Sequence, residues 1–598
     1  MNFSQDLNKS FLLFKEGKFL ESLDILNRIL LKDPENYDAL SNKAFIKIRL
    51  GEKIEAKNIL AGLFIIRPEK VVGSNLIILL LELQLWEDAK KISDKLKIFY
   101  KDDANILLNH ALILRGLKKF DDALLVYDYL IKLYPTYLPA FISKGYTLNL
   151  LNRFDEAISI LKLGLKLDSK NFQLLFNLSI CLMNNNQYQE AIVFLKKALN
   201  IENNNIDVLL NLASALSSVG SLSESKKLLT KVNYLLKNNK NNKWYFEILL
   251  QNSKNDFLNG DFEKAKEKLK EILDHNPGHI EANYYYGIYL LKEGRYGDVH
   301  KYYAYRTLRD KSKGRYGKFN DIDLPKITNK TKLLVYSEQG IGDVLIIVRL
   351  LSFLRNKVES LVFICYDKLL SLLGNNFIDF DIISESEFLN LNNNAFNDHL
   401  KINLFSIFHY IDDIDQEIKN IKLLKCDENL KKYYRNKYRE KNKPLIGISW
   451  FSKVQKIGKL KSYQLSDIYQ ILNRTNEFSF INLQYGDVKD EIADFNKNKG
   501  TKIQFDYELD YYNDIYSLAS LVAACDIIIT CSNVTAHIAG SLGIKTFVML
   551  PKKNAKLWYW YENENISSWY PSVNLINQTT YRDWNNPVKQ IIKELENL

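Results

Sequence analysis

A 34-residue pattern recurs through the first half of this 598-residue chain, and it constrains the fold more than any other feature. A typical copy contains a turn-forming residue, a large apolar residue two positions later, a polar pair and then a small residue. The small residue is Ala or Ser in every copy but the last, and successive copies are 33 or 34 residues apart except for one step of 40. The small positions and their last counterpart are Ser22, Ala56, Ala89, Ala123, Ala157, Ala191, Ser225, Ala265 and Val299.

Helix-ending residues follow these positions at a fixed distance. Twelve residues after several of them stands a proline, which ends a helix because it cannot donate the next backbone hydrogen bond. The period, the two helical patterns and the proline resemble the tetratricopeptide repeat. The resemblance implies an all-α superhelix of about nine repeats over residues 1–312, with a polar loop insertion at Lys237–Lys243. Such repeats present a concave groove to an extended peptide or protein, and self-association or a spacer role is the alternative. The prolines are Pro34, Pro68, Pro135 and Pro277.

After Val299 the period stops and the pattern changes. Residues 313–330, which are basic and then loose and polar, are interpreted as a junction. Short buried strands then alternate with helices, which is typical of a parallel α/β sheet. Two such series, over residues 331–426 and 444–598, predict two α/β lobes. The basic segment 427–443 is interpreted as the linker between them, and its charges indicate either a solvated helix face or attraction for phosphate.

A glycine-rich loop stands between the first predicted strand of this half and the helix predicted over Val344–Leu354. Gly340 and Gly342 allow a tight turn and a close approach of the backbone to a ligand. The free amides of the helix start favour an anion there. Asp343 ends the loop. It is expected either to cap the helix or to act as a general base, and a base at this position needs desolvation to restore its basicity.

A second polar helix start follows the strand predicted over Asp526–Thr530. Ser532 or Asn533 can cap this helix, and Thr535 lies in its first turn. His537 lies one turn deeper, on the same face as Asn533. A strand followed by this helix start predicts a diphosphate cradle, with His537 in contact with a phosphate or a ribose. A histidine that only packs is the alternative.

Further candidates follow other predicted strand ends, where ligands of α/β sheets bind. Trp450 and Lys453 follow one strand and Gln484 follows another, while Lys461 lies in the loop after Lys453. A lysine in such a loop can meet a phosphate as a point charge. An aromatic cluster near the C-terminus is expected either to cover a nucleobase or to be core. It comprises Trp558, Trp560, Trp569 and Tyr570.

Four motifs, in this order, resemble the heptosyltransferase-like glycosyltransferases of glycosyltransferase family 9. They are Glu338–Asp343, Gly447–Trp450, Leu483–Gln484 and Ala536–Gly543. The resemblance implies a GT-B fold of two Rossmann-like lobes, a nucleotide sugar bound mainly to the C-terminal lobe, and metal-independent transfer. It also implies that Asp343 is the base on the acceptor hydroxyl and that Ser532, Asn533, Thr535 and His537 receive the donor diphosphate. Many relatives carry Asp-Thr in place of Ser532-Asn533 and Arg-Ser in place of Lys461-Ser462, so these departures bear on donor identity.

Composition bears on whether the protein binds nucleic acid or metal, is secreted, or spans a membrane. The net charge of +11 is small for this length and forms no single stripe, so we expect no nucleic-acid partner. Five cysteines without a C-x-x-C pair and seven histidines without zinc-site spacing predict a reduced compartment and no metal site. We see no secretory signal, and the most apolar stretch, Val71–Trp86, contains Glu82. A cytoplasmic protein without a membrane span is therefore expected.

These features together predict a cytoplasmic bacterial glycosyltransferase that moves a sugar from a nucleotide sugar to a hydroxyl, by single displacement with inversion. The expected acceptor is a protein or peptide in the repeat groove, and the family resemblance suggests flagellin or another surface protein. No cofactor is expected, because the nucleotide sugar is a substrate. Two alternatives remain open: a protein-binding scaffold whose transferase half is inactive, and a lipopolysaccharide-type transferase with a sugar acceptor.

Overall fold

The computed structural model describes residues 3–237, 244–309, 322–391, 395–453, 458–552, 556–560, 565–580 and 583–597. Most of the predicted insertion Lys237–Lys243 and the first part of the predicted junction 313–330 lie outside these ranges. The chain forms two compact units, Met1–Leu235 and Leu236–Leu598. None of the helices in the described ranges is long and apolar enough to cross a membrane.

The first unit consists of helix pairs, each formed by two neighbouring helices that pack side by side. The small position of the sequence pattern is the fourth residue of the second helix in each pair, and its side chain is fully buried. Where this residue is serine, the hydroxyl is satisfied by the first helix: Ser22 Oγ donates to Ser10 O and Ser225 Oγ donates to Ala213 O, each at 2.8 Å. The helices are α1 (Ser4–Lys15), α2 (Phe19–Lys32), α3 (Tyr37–Arg49), α4 (Lys53–Ile66), α5 (Lys70–Glu82), α6 (Trp86–Phe99), α7 (Ala104–Gly116), α8 (Phe120–Leu133), α9 (Leu138–Leu150), α10 (Phe154–Leu167), α11 (Phe172–Asn184), α12 (Tyr188–Ile201), α13 (Ile206–Ser218) and α14 (Leu222–Leu235).

Two more helix pairs and a short helix open the second unit. They are α15 (Tyr245–Asn259), α16 (Phe262–His275), α17 (Ile280–Lys292), α18 (Tyr296–Tyr303) and α19 (Arg306–Arg309). The small position recurs here as the buried Ala265 of α16, and Val299 takes its place in α18. The predicted all-helical repeat region is confirmed.

The turn within each described helix pair contains one residue in the left-handed region of backbone space. Its φ lies between 58° and 87°. Glycine adopts this conformation without steric cost, whereas other residues pay a penalty in it. Glutamine, lysine and asparagine nevertheless hold the position in the middle of the array. The positions are Gly17, Gly51, Gln84, Lys118, Asn152, Asn186, Gly220, Gly260 and Gly294.

The rest of the second unit alternates strands and helices. The strands are β1 (Lys332–Tyr336), β2 (Ser360–Cys365), β3 (Asp381–Ser384), β4 (Leu400–Asn403), β5 (Leu445–Ser449), β6 (Ser479–Asn482), β7 (Ile503–Gln504), β8 (Ile527–Cys531), β9 (Thr546–Leu550) and β10 (Val573–Asn577). The helices are α20 (Ile341–Ile347), α21 (Leu351–Arg355), α22 (Leu370–Gly374), α23 (Glu385–Asn390), α24 (Ile414–Lys419), α25 (Glu428–Tyr438), α26 (Gly458–Lys461), α27 (Tyr469–Leu472), α28 (Lys489–Lys499), α29 (Ile515–Ala524), α30 (Val534–Ser541) and α31 (Asn585–Leu595). Short 3-10 turns occur at Val348–Leu350, Asp367–Leu369 and Leu404–His409.

The strands form two sheets in the described residues, and every pair of neighbouring strands is parallel. The first sheet has the order β3-β2-β1-β4 and the second the order β10-β9-β8-β5-β6-β7. The predicted parallel α/β character of the second half is therefore confirmed. Parallel strands place their carboxyl ends at one edge of the sheet, so the loops after β5, β6 and β8 gather at the same edge.

The last helix pair shares its hydrophobic core with the first sheet. Tyr296 and Tyr303 of α18 are buried in one cluster with Val335 of β1, Phe405 and Trp569. The core therefore continues past the predicted end of the repeat region at residue 312. The division between the compact units falls within the array, at Leu235.

Candidate functional site

The glycine-rich loop and the histidine helix, which lie far apart in sequence, meet in the second unit. Helix α20 packs against helix α30. A Cβ atom on Gly342 would lie 2.5 Å from Cδ2 and 2.7 Å from Nε2 of His537. Glycine is needed at this position because the imidazole occupies the space of a side chain. Two of the predicted motifs thus form one site.

Asp343 is the half-buried carboxylate of this site. Its Oδ2 accepts a hydrogen bond from the backbone N–H of Gly340 at 3.2 Å, and its Oδ1 accepts one from Trp558 Nε1 at 3.3 Å. Burial raises the pKa of Asp343 to about 6, although both hydrogen bonds and the charge of Lys461 act in the opposite direction. The carboxylate therefore binds the loop backbone and has a pKa suited to general base catalysis near neutral pH.

His537 is buried among aromatic side chains, with 1% of its surface exposed. Its Nδ1 is 3.2 Å from the hydroxyl of Tyr570, and its ring stacks on Trp560 with centroids 5.2 Å apart. Burial, reinforced by the charges of Lys461 and Arg349, lowers the pKa of His537 to about 3. The imidazole is therefore neutral at physiological pH and can act only as a neutral hydrogen-bonding or packing group.

Lys461, the last residue of α26, is a buried lysine with 2% of its surface exposed. In the described part of the chain its ammonium makes no hydrogen bond and no ion pair. Burial lowers the pKa of Lys461, whereas the nearby Cys531 and Asp343 raise it. A lysine in this position can meet an anionic group as a point charge.

The polar residues at the start of α30 are occupied by contacts inside the fold. Asn533 Oδ1 accepts from the backbone N–H of Thr535 at 3.0 Å and so caps the helix, while its Nδ2 donates to Ser449 Oγ at 2.6 Å. Thr535 Oγ1 donates to the carbonyl of Leu483 at 3.4 Å. Ser532 Oγ accepts from an indole N–H at 2.9 Å. These side chains fix the helix start against the ends of β5 and β6.

Gln484 and Trp450 make hydrogen bonds that hold the loop after β5. Gln484 Oε1 accepts from Ser449 Oγ and from the backbone N–H groups of Trp450 and Phe451, each at 2.9 Å. Trp450 is buried, and its Nε1 donates to Glu491 Oε1 at 3.2 Å. Both residues hold the loop after β5 in place, and neither has an open polar group in the contacts described.

Lys453 differs from Lys461 because its side chain is exposed. Its Nζ lies 5.9 Å from the ring centroid of Tyr512. Lys368, which follows β2, places its own Nζ 3.9 Å from the same centroid. Two lysines, one from the loops of each sheet, thus meet on one tyrosine.

Two arginines near the site were not predicted. Arg349 is buried, and its guanidinium lies over the ring of Tyr570 at 4.7 Å. Arg306 of α19 forms a bidentate pair with Glu338, the residue that opens the glycine-rich loop motif. A charged residue inside the apolar stretch around Arg349 was a sequence signal of burial and function, but nothing in the pattern indicated a partner for Arg306 or Glu338.

No group of three or more His, Cys, Asp or Glu side chains in the described ranges could hold a metal ion. All five cysteines are unpaired, and burial raises the pKa of Cys531 beside the site to about 12. Its thiol is therefore not a reactive nucleophile at neutral pH.

Comparisons with known proteins identify the repeats. Models of the tetratricopeptide repeat match residues 138–171, 182–240 and 257–298. Protein FlbA of Caulobacter vibrioides is 30% identical over 141 residues, which are 24% of this chain and 23% of FlbA. The chain thus matches less than a quarter of the length of this relative.

Two solved structures are similar to part of this chain. A tetratricopeptide repeat protein from Parabacteroides merdae is 14% identical with a TM-score of 0.35, and the match covers 43% of this chain and 99% of that one. YrrB, described as a TPR protein with an unusual peptide-binding site, is 21% identical with a TM-score of 0.27. That match covers 32% of this chain and 95% of YrrB.

Proposed function

We propose that the protein is a glycosyltransferase that moves a sugar from a nucleotide sugar to a hydroxyl of a protein acceptor. The observation that carries the proposal is the combination of Asp343, whose pKa is raised to about 6, with Lys461, a buried lysine whose charge acts on that carboxylate and which makes no hydrogen bond or ion pair with the described residues. A carboxylate with basic character can serve as the base, and a nearby cation can balance the charge of the leaving nucleotide. The two parallel sheets are the lobes of a GT-B fold in this proposal, and residues 427–443 are their linker.

The donor diphosphate binds near Lys461 and the start of α30. The ammonium of Lys461 balances part of the negative charge of the diphosphate in this buried site. Backbone amides at a helix start favour an anion by their dipoles. Gly340 and Gly342 bring the loop backbone close to the same ligand. The exposed Lys453 contributes charge at the mouth of the site.

Transfer is a single displacement. Asp343 takes the proton of the acceptor hydroxyl, and the hydroxyl oxygen forms a bond to the anomeric carbon of the donor sugar. The bond between that carbon and the diphosphate oxygen breaks with inversion, and the nucleotide leaves with its charge balanced by Lys461. The mechanism needs no covalent enzyme intermediate and no metal ion.

The test is a thermal melt of the purified chain with UDP, GDP, ADP or CMP. A nucleotide at 100 times its dissociation constant stabilises its site by about 2.7 kcal/mol, which raises the melting temperature measurably. We expect one nucleotide to give this shift in the wild type and Lys461→Met to lose it. Lys489→Met, which removes an exposed lysine of α28, is the matched control and should keep the shift. A folded wild type that responds to none of the four, or an equal shift in Lys461→Met, contradicts the proposed donor site.

A protein-binding scaffold is the second candidate. It is supported by the confirmed repeats, because tetratricopeptide repeats are a peptide- and protein-binding fold. It is also favoured by the internal hydrogen bonds that occupy the side chains of Asn533, Thr535 and Gln484. A scaffold binds a partner protein but consumes no nucleotide sugar, so release of nucleotide from a donor panel separates the two functions.

A further inference from the structure

A chamber of about 820 Å³ lies in the second unit, and its lining includes Trp558, the indole that hydrogen-bonds to the proposed base. Its walls come from α16, α17 and α18, from α24, and from the segment Trp558–Trp560 with Ser568. The volume is within the range of ligand sites, and several walls are aromatic. The aromatic side chains are Phe262, Tyr289, Tyr296, Trp558 and Trp560.

Trp558 is shared between this chamber and the site. It lines the chamber, and its Nε1 donates to Asp343 Oδ1 at 3.3 Å. Trp560 also lines the chamber, and its Nε1 donates to Ser532 Oγ at 2.9 Å. A molecule in the chamber therefore contacts the indoles that bind the proposed base and the start of α30.

The charges around the chamber do not favour a polyanion. Three acidic residues, Glu263, Glu293 and Asp415, line it with two basic ones, Lys292 and Lys419. A nucleotide or a phosphorylated glycan needs an excess of positive charge, which this lining does not provide. An uncharged or mixed-charge chain with apolar side chains suits aromatic walls and a lining that carries both signs of charge.

The repeats supply a large part of the chamber. Three helices of the repeats line the chamber. Side-chain hydrogen bonds also join these helices to the segments around Asp343. Trp569 Nε1 donates to the hydroxyl of Tyr296 at 3.0 Å, and Arg306 is paired with Glu338. Phe405 N–H donates to the same Glu338 carboxylate at 3.1 Å. The last helix pair thus acts as one side of the site.

We propose that this chamber is the acceptor site, and that it binds a hydroxyl-bearing polypeptide segment of mixed charge and presents the hydroxyl to Asp343. The inference rests on the proposed transfer of sugar and adds where the acceptor binds and what it is. The last two repeats, rather than the groove of the array as a whole, then determine which segment reaches the base.

The test uses the full chain, a panel of UDP-, GDP-, ADP- and CMP-sugars, and pooled decapeptides that each carry one Ser or Thr. Nucleotide release without peptide measures the donor site, and the increase in release with peptide measures the acceptor site. Glu263→Trp places an indole at the chamber, on a side chain that is 79% exposed and pairs only distantly with Lys266. We expect it to raise the KM for peptide at least tenfold while release without peptide stays within twofold.

The array offers a matched control. Glu87 occupies in α6 the position that Glu263 occupies in α16, and it is likewise exposed. Glu87→Trp should leave both activities within twofold. A second pair, Lys292→Glu at the chamber and Arg49→Glu at the same repeat position of α3, repeats the comparison with a change of charge.

Three results would overturn the inference. If Glu263→Trp and Lys292→Glu both leave the KM for peptide unchanged, the acceptor binds elsewhere, and the proposed sugar transfer itself is not contradicted. If oligosaccharides increase the release of nucleotide and no peptide does, the acceptor is a sugar and the proposed polypeptide is wrong. Release of no nucleotide from any donor, with or without acceptor, contradicts the proposed function and the inference together. Peptide stimulation that is lost in the chamber variants and kept in the controls supports the inference.

Discussion

At the residue scale, Asp343 shows how local and tertiary effects compete. A carboxylate in the first turn of a helix is expected to have a low pKa, because the amides of the helix start stabilise its charge. Burial outweighs this effect and raises the pKa of Asp343 to about 6. The ionised carboxylate is thus destabilising at neutral pH, as is often true of catalytic groups.

The variant Asp343→Asn measures how much the ionised carboxylate destabilises the fold. The folded-state pKa of about 6 lies above the ordinary value of 3.8, so the stabilising effect of protonation is complete below pH 3.8 and is lost as pH rises through 6. We expect Asn to raise the free energy of unfolding by about 1–2 kcal/mol at pH 8 and to have no effect near pH 4, since one pKa unit corresponds to about 1.4 kcal/mol. Sugar transfer should fall by about 10²–10⁴-fold, the usual contribution of a general base.

Denaturant unfolding at the two pH values, followed by tryptophan fluorescence, checks the stability of this variant. Asp412→Asn, at a side chain that is 95% exposed, is the control and should change neither quantity. A variant that is less stable than the wild type at pH 8, or that retains full transfer, contradicts the assignment of Asp343.

Sequence reasoning at this scale named Gly342, Asp343 and His537 as candidates but not the contacts between them. The structure adds that Gly342 leaves room for the imidazole of His537, while its predicted role in ligand approach stays a prediction. The bidentate pair of Arg306 with Glu338 depends on two segments that come together only through packing of the last helix pair on the sheet. Burial of Lys461 follows from the same tertiary packing, which no local pattern encodes.

At the element scale, the repeats were predictable because each is a local unit. Small residues at a fixed spacing determine where two helices pack, so periodicity alone located every described pair. The strands were less predictable: β4, β7 and β10 were not anticipated, although only β7 is shorter than the other strands, while the helix predicted over Val344–Leu354 begins earlier and is interrupted by a 3-10 turn. Such elements are selected by their neighbours in the sheet more than by their own residues.

The left-handed turns of the array give an element-scale prediction. Lys118 holds a φ of 61° in the turn between α7 and α8, a conformation that costs a non-glycine residue about 1–2 kcal/mol. Lys118→Gly relieves this strain at some cost in chain entropy, and we expect a net gain of about 0.5–1 kcal/mol in stability. Lys119→Gly, one residue later at φ −86°, should be destabilising. Thermal melting followed by circular dichroism distinguishes the two, and a lower melting temperature for Lys118→Gly would contradict the strain argument.

At the scale of the whole molecule, the chain divides at Leu235, whereas the sequence pattern changes at residue 312. The end of the repeat pattern at residue 312 marks where the local structure changes, but Tyr296 and Tyr303 belong to the core that surrounds the first sheet. Local patterns reveal where a helix region ends and carry no information about which later segment will cover its last helix.

Two truncations test this organisation. A chain that starts at Leu236 keeps the entire second unit and should be soluble with a cooperative melt. A chain that starts at residue 313 lacks Tyr296 and Arg306, so it exposes Phe408 and Trp569 and leaves the half-buried carboxylate of Glu338 without its cation. Because large aromatic side chains lose their cover, we expect this chain to aggregate or to melt without cooperativity. Equal solubility and equal melting temperatures of the two chains would show that α18 and α19 are dispensable.

The merging of the last helix pair with the sheet has a consequence for how this protein can evolve. Duplication or deletion of one period before Leu235 adds or removes a module whose neighbours are other modules of the same kind. The same event after Leu236 would remove a wall of the chamber or displace Arg306 from the loop. We therefore expect homologous chains to differ in repeat number only towards their N-terminal end, so that the reach of the array diversifies while the contacts around Asp343 are inherited unchanged.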